Sequence, residues 1–207
     1  MTDDDFILAA MNGDLWAVET FLAEGGNMEA RSSWGQGALV ARDPQLFNYL
    51  LQRGADPFAD YFPLATQVWE VCPKNVETLL ALGVSAAGGP APAYDPPEGP
   101  LHMAVSRGDQ QPARLRIVQA LIRHGANPNR QAKVAVASNC FLKDVQVVGE
   151  TPLHRAAAYC DAEIVEALLA AGGDTALRDA RGESAQSWAS RHWREPAFID
   201  RLAPQLN

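Results

Sequence analysis

Four histidines, three cysteines and a run of three aspartates are the residues of this 207-residue chain best suited to chemistry. His102 and His154 each follow Pro-Leu, in "GPLH" and "TPLH", while His124 and His192 stand alone. A zinc site needs cysteine or histidine ligands in closely spaced pairs, and Cys72, Cys140 and Cys160 form no such pair with one another or with a histidine. Asp3-Asp4-Asp5 lacks the alternating ligands of a calcium loop. A glycine-rich phosphate loop ending in Lys-Ser/Thr is missing, as is a Gly-x-Ser-x-Gly elbow. Serine, histidine and aspartate occur without the local context of a triad. The chemistry-bearing residues therefore predict no metal, no cofactor and no enzymatic activity.

The elements that carry these residues are read most clearly in "GETPLHRAAAYCDAEIVEALLAAGGDT" from Gly149. Thr151 can cap a helix through its hydroxyl, and Pro152 suits the first helical position, where no N–H is needed. Leu153, Ala156 and Ala157 give a face of small residues that lets a neighbour approach closely. Cys160-Asp161 makes a short turn. Ile164, Val165, Leu168 and Leu169 then fall at helical spacing, and Gly172-Gly173 stops the second helix with the positive φ that glycine adopts freely. One helix–turn–helix unit is too thin to bury its own core, so it needs a copy on each side.

The copies are present. Gly149 and Gly182 lie 33 residues apart, and "GESAQSWAS" echoes "GETPLHRAA". Upstream, "GPLHMAVSRGD" from Gly99 and "IVQALIRHGANPN" from Ile117 repeat the two helices, as do "FPLATQVWEVCPKNVETLLALG", "LLQRGADP" and "ILAAMNGDLWAVETFLAEGGN". These residues resemble the ankyrin repeat, with its period of about 33 residues, its Thr-Pro-Leu-His-x-Ala-Ala opening and its Gly-Ala-Asp close. The resemblance implies an all-α ankyrin-repeat solenoid in one elongated domain, residues 1–207. Its units are expected near 3–34, 35–58, 59–97, 98–148 and 149–181, with a C-terminal cap at 182–204. The second unit is four residues short, so its first helix is expected to be only a turn. In such repeats the Thr-Pro-Leu-His histidine ties neighbouring units together through backbone hydrogen bonds, which is the role implied for His102 and His154.

Three insertions break the period. "AAGGPAPAYDPPEG" at 86–99 is rich in proline and glycine and reads as a stiff, extended loop. "GDQQPARLR" at 108–116 adds five residues between two helices, a structural accommodation. "RQAKVAVASNCFLKDVQVV" at 130–148 is about fourteen residues too long, and its alternating β-prone halves flank "SNC". An enlarged β-hairpin is expected there, with Phe141 and Leu142 near its turn.

Residues 1–100 carry 14 Asp and Glu against 4 Lys and Arg, a balance of −10, whereas residues 101–207 carry 11 against 13, a balance of +2. The acidic half would repel phosphate, which argues against nucleic acid as a partner. No apolar run approaches the roughly 18–20 residues of a membrane span. The acidic start and the odd, scattered cysteines suit a protein kept in a reducing cytoplasm. A short, stand-alone bacterial protein is expected, monomeric when free.

The resemblance points to a protein-interaction module that binds a protein partner through its concave and hairpin-tip surface. Carried onto this chain, the tip positions before each first helix are Trp34 and Gln36, Phe58 and Tyr61, Tyr94 and Glu98, and Val148 and Glu150. Near the first-helix ends stand Met11, Asn12, Trp69, Glu70, Arg107, Tyr159 and Arg191. Trp34, Gln36, Phe58, Tyr61, Trp69, Glu70, Tyr94, Glu98, Arg107, Phe141 and Tyr159 are the candidate contacts, since aromatics and arginine are the usual hot-spot types. Two other classes fit the same residues: an immunity or antitoxin-type inhibitor of a basic toxin or enzyme, and a secreted effector or regulatory scaffold.

Overall fold

The computed structural model describes residues 1–58, 62–87, 96–134 and 147–204, the side chain of Phe62 excepted. They fall into two compact units, Met1–Val84 and Ser85–Asn207. The described residues form helices and turns, with a lone antiparallel bridge between Arg178 and Ser184. The expected all-α repeat fold is thus found. The hairpin expected within 130–148 lies largely outside the described residues. Among them, no helix is long and apolar enough to cross a membrane.

In the first unit, α1 (Asp3–Asn12) begins on a capping box: the Thr2 hydroxyl accepts the Asp5 N–H and the Asp5 carboxylate accepts the Thr2 N–H. Three aspartates in its first turn oppose the positive end of the helix dipole. A turn at Gly13 leads into α2 (Leu15–Ala23), and Phe6 stacks on Phe21 with ring centroids 4.3 Å apart. Where the sequence is four residues short, the chain makes only a 3-10 turn, Ala38–Val40, before α3 (Pro44–Gln52).

That shortening has a cost, because a single turn leaves buried carbonyls without helical partners. Two side chains of the following helices, α4 (Phe62–Trp69) and α5 (Pro73–Ala81), supply the missing donors. Gln67 donates to the carbonyls of Leu39 (2.8 Å) and Ala41 (3.1 Å). Asn75 donates to Ala41 (3.1 Å), to Arg42 (3.2 Å) and to the Gln67 side-chain oxygen (2.9 Å). Both amides are buried and every contact is a hydrogen bond, so the truncated repeat is held by a polar plug.

The second unit contains α6 (Pro100–Ala104), α7 (Gln111–Arg123), α8 (Pro152–Tyr159), α9 (Ala162–Ala170), α10 (Ala185–Arg191) and α11 (Pro196–Asp200). Helix α8 packs against α6, α9 and α10, and α7 packs against α9. Ala156 and Ala157 are fully buried, as small residues at a close helix approach should be. Ile164, Val165 and Leu168 form the buried stripe of α9. Gly172 ends that helix at φ 89°, and a Cβ on Gly173 would meet the Leu168 carbonyl oxygen at 2.8 Å.

The five extra residues before α7 lengthen that helix at its start rather than form a bulge. Arg114, fully buried, turns its guanidinium back to the Ala104 carbonyl (3.1 Å) at the end of short α6 and to the Asp109 carboxylate (2.8 Å). One expected cap is made differently. The Thr151 hydroxyl bonds to no backbone N–H; it meets His154 Nδ1 at 2.8 Å, and the histidine ring accepts the Thr151 N–H at 3.2 Å. The ring reaches back over the first turn and takes the capping position itself.

Three inter-helix turns share one geometry. The N–H groups of Gly13, Val71 and Trp193 donate to the residue three before, and the next N–H in each donates five back. All three have a left-handed backbone, with φ 78°, 58° and 55°. Glycine tolerates this; valine and tryptophan do not. Trp193 is 94% exposed, so its side chain contributes little packing in return. Trp193→Gly is expected to stabilise the protein by about 0.5–1 kcal/mol, seen as a melting point raised by about 1–4 °C. An unchanged or lower melting point would mean that the indole packs where the structure leaves it exposed.

Candidate functional site

The two Thr-Pro-Leu-His histidines sit in the same arrangement. His102 Nδ1 accepts the Gly99 N–H (3.3 Å) and its Nε2 faces the Glu150 carbonyl (3.2 Å). His154 Nδ1 accepts the Thr151 N–H, and its Nε2 faces the Glu183 carbonyl at 3.0 Å. A ring that accepts at Nδ1 and meets a carbonyl at Nε2 is the neutral tautomer protonated on Nε2, donating to the next repeat. Burial, reinforced by the Arg155 charge, pushes the His102 pKa down to about 3, and burial lowers that of His154. These are structural ties, as expected.

The consequence for pH follows from the sign of the shift. An unfolded histidine takes up a proton near pH 6.5 while the folded His102 does not until about pH 3. Stability is therefore full above pH 6.5 and falls below it, by about 1.4 kcal/mol per pH unit from His102 until the folded ring itself protonates. Urea midpoints between pH 7 and pH 5 are expected to fall, and to fall less steeply in His102→Asn. Equal slopes in the two proteins would show that His102 is not the titrating group.

Beside these rings lies the least expected feature. The Arg155 guanidinium is completely buried, in ion pairs with Glu98 and Glu150, and it donates to the Ser106 hydroxyl at 2.9 Å. By their repeat positions both glutamates are expected at hairpin tips, Glu98 as a contact and Glu150 at the tip of the next repeat. The structure corrects this: each is about 1% exposed and committed to Arg155. The two insertions explain the difference. Arg130 donates to the carbonyls of Ala87 (2.8 Å) and Pro96 (2.5 Å), and the Lys133 N–H donates to Pro97 (2.9 Å). Ala132 donates to Glu150 at 2.9 Å. The roots of both insertions are thus stapled together, and the Val148 N–H at the end of the second donates to the Glu150 carboxylate at 2.9 Å.

The two described thiols, Cys72 and Cys160, are not poised for chemistry. Burial pushes Cys160 up to about 12 and raises Cys72, so neither is a thiolate at neutral pH. Among the described residues, no group of three or more His, Cys, Asp or Glu side chains is placed to hold a metal.

What remains is surface, and in the first unit it is distinctive. Trp34 and Phe58 are 53% and 54% exposed, large values for aromatic side chains. Between their turns opens a cleft whose lining includes Glu29, Gln36, Leu39, Asp56, Pro63 and Thr66. Trp34 Nε1 donates to Gln36 (3.0 Å), and the Phe58 N–H donates to Asp56 (2.8 Å). The Asp56 N–H donates to Glu29 (3.0 Å), tying one tip to the next. Local hydrogen bonds therefore fix both aromatic turns to residues of the same cleft. Trp69 and Glu70 stand at the end of α4, half-buried, with Glu70 paired to Arg42 at 2.9 Å. Tyr61, Tyr94 and Phe141 lie outside the described residues.

In the second unit, Arg107 and Tyr159 are brought together at adjacent inter-helix turns. The Gln111 amide reaches both of their carbonyls, at 3.4 and 3.5 Å, and the Tyr159 ring meets His192 edge-on at 5.1 Å. Arg107 is exposed and Tyr159 is half-buried. Two exposed tryptophans were missed by the sequence reading: Trp193 and Trp16, the latter 74% exposed. The signal was that Trp16 stands where the repeat at 154–174 has Glu163, and Trp193 where the equivalent turns have Gly13 and Val71.

The family profile described as ankyrin repeats in three copies matches residues 72–179 and again 101–203, together more than half of the chain. The chain belongs to the ankyrin-repeat family. Curated relatives include the inactive serine/threonine-protein kinase TEX14 of mouse, 35% identical over 75 residues, and that of cattle, 36% identical over 84 residues. Those stretches cover 36% and 41% of this ankyrin-repeat chain but only 4% and 5% of the kinase-like proteins. Ankyrin repeats are in general protein-interaction modules, which gives the exposed aromatic turns their context.

Proposed function

We propose that this ankyrin-repeat protein is a non-catalytic adaptor that binds a protein partner through the hairpin-tip surface of its first unit. The observation that carries the reading is the pair Trp34 and Phe58, more than half exposed, the first held through its indole N–H and the second through the backbone of its turn, each to a residue that lines one cleft. An indole held by its own hydrogen bond, and a ring carried on a hydrogen-bonded turn, lose less entropy on binding than free chains and can desolvate, the property of hot spots. Gln36 is retained among the contacts, while Glu98 leaves the set because it is buried. Trp69 and Glu70 are further contacts of the same unit, while Arg107 and Tyr159 on the second unit, with Tyr61, Tyr94 and Phe141, are contacts on grounds of sequence. The helix pairs before residue 72 read as members of the same repeat array, and the free protein as a cytoplasmic monomer.

The test begins with an affinity pull-down from the source cell, followed by measured rates with the purified partner. Trp34→Ala is expected to weaken binding about 30-fold, chiefly through faster dissociation. Loss of less than threefold for both Trp34→Ala and Phe58→Ala would remove this surface from the account.

A further inference from the structure

Resting on that reading of the surface, we infer that the cleft of the first unit receives an arginine or lysine side chain from an extended segment of the partner. The occupant follows from charge and geometry together. Glu29 and Asp56 both line the cleft. Each spends a single oxygen on a backbone N–H, Glu29 on that of Asp56 and Asp56 on that of Phe58. Among the described residues the second oxygen of each carboxylate has no protein donor.

The surroundings are equally one-sided. Arg31 is the cation of the lining, and its guanidinium already reaches the Gly35 carbonyl. Asp4 accepts the Ser33 N–H at 2.6 Å, which brings a third carboxylate next to the Trp34 turn. Residues 1–84 carry 12 Asp and Glu against 4 Lys and Arg, a balance of −8. A positively charged head can bond to the open carboxylate oxygens, while its aliphatic stem lies along Leu39 and Pro63. Trp34 and Phe58, exposed one at each flanking turn, add aromatic surface for the rest of the segment. An acidic segment would meet repulsion at the same points, and a purely apolar one would strip water from carboxylates without replacing it. The site thus selects a cation flanked by apolar residues.

The experiment pans a phage-displayed random peptide library against the intact protein and then measures a synthetic selected peptide. Selected peptides are expected to carry Arg or Lys beside an apolar residue. Glu29→Gln combined with Asp56→Asn keeps the oxygens that accept backbone N–H groups and removes only charge. That variant is expected to weaken the peptide about tenfold at low salt and by less at high salt. Trp34→Ala is expected to weaken it at both. Selection of uncharged or acidic peptides that depend on Trp34 would overturn the cation and leave the surface standing. Basic peptides indifferent to the charge-removing pair would do the same. An absence of enriched peptides, or peptides indifferent to Trp34 and Phe58, would overturn both the cation and the surface.

Discussion

Arg155→Ala is expected to destabilise the protein by about 3–5 kcal/mol, a large share of the 5–15 kcal/mol typical of a folded domain. The reason lies in what the arginine leaves behind. Its guanidinium is the counter-charge to Glu98 and Glu150, and all three groups are sealed from water. Without it two carboxylates remain close together in an apolar interior, each repelling the other and neither solvated. Neutralising the whole cluster should be milder than breaking it, because a buried ion pair is weak evidence of net stabilisation. Arg155→Met combined with Glu98→Gln and Glu150→Gln is therefore expected to recover much of the loss. Urea unfolding followed by circular dichroism measures both proteins. A cost below about 1 kcal/mol for Arg155→Ala would show that the cluster is solvated.

Leu168→Ala is expected to cost about 2–5 kcal/mol. Leu168 is fully buried on α9, on the helix surface that meets α7 and α8. Truncation removes apolar area and leaves a cavity that two flanking helices can close only by moving. The Gly173 N–H still reaches the Leu168 carbonyl, so the helix stop survives and the loss is one of packing alone. A change below about 0.5 kcal/mol would mean that the buried stripe of α9 is misplaced.

How much of this was legible beforehand depended on whether neighbours along the chain or neighbours in space set the outcome. Helix stops are local. Gly25, Gly54, Gly83, Gly125 and Gly172 each follow the second helix of a pair and each has positive φ, which is why the period could be read from glycines. The four-residue shortening between Gly35 and Gly54 was also local, and the first helix there became a single 3-10 turn. The amide plug of Gln67 and Asn75 was not visible, because it answers carbonyls 26 to 34 residues away.

The candidate site shows the same division. Trp34 and Phe58 are exposed where their repeat positions put them. Glu98 and Glu150 hold the same position in successive repeats, and position alone marks it as a tip. Their burial goes with a pairing to Arg155 and with insertion roots that meet only in the fold, at Arg130, Lys133 and Ala132. The recurrence of glutamate before the Pro-Leu-His motif, with an arginine directly after its second histidine, was the available clue. A lone arginine among alanines on a helix face needs a buried anion, and two were in register.

The central claim is that the partner sits on the tips of the first unit. Amide hydrogen exchange on the free protein and on its complex with the partner tests it most directly. The account predicts slowed exchange in residues 28–40 and 55–58 on binding, with residues 131–147 unchanged. Protection confined to residues 131–147, with the Trp34 and Phe58 turns exchanging as in the free protein, would contradict it.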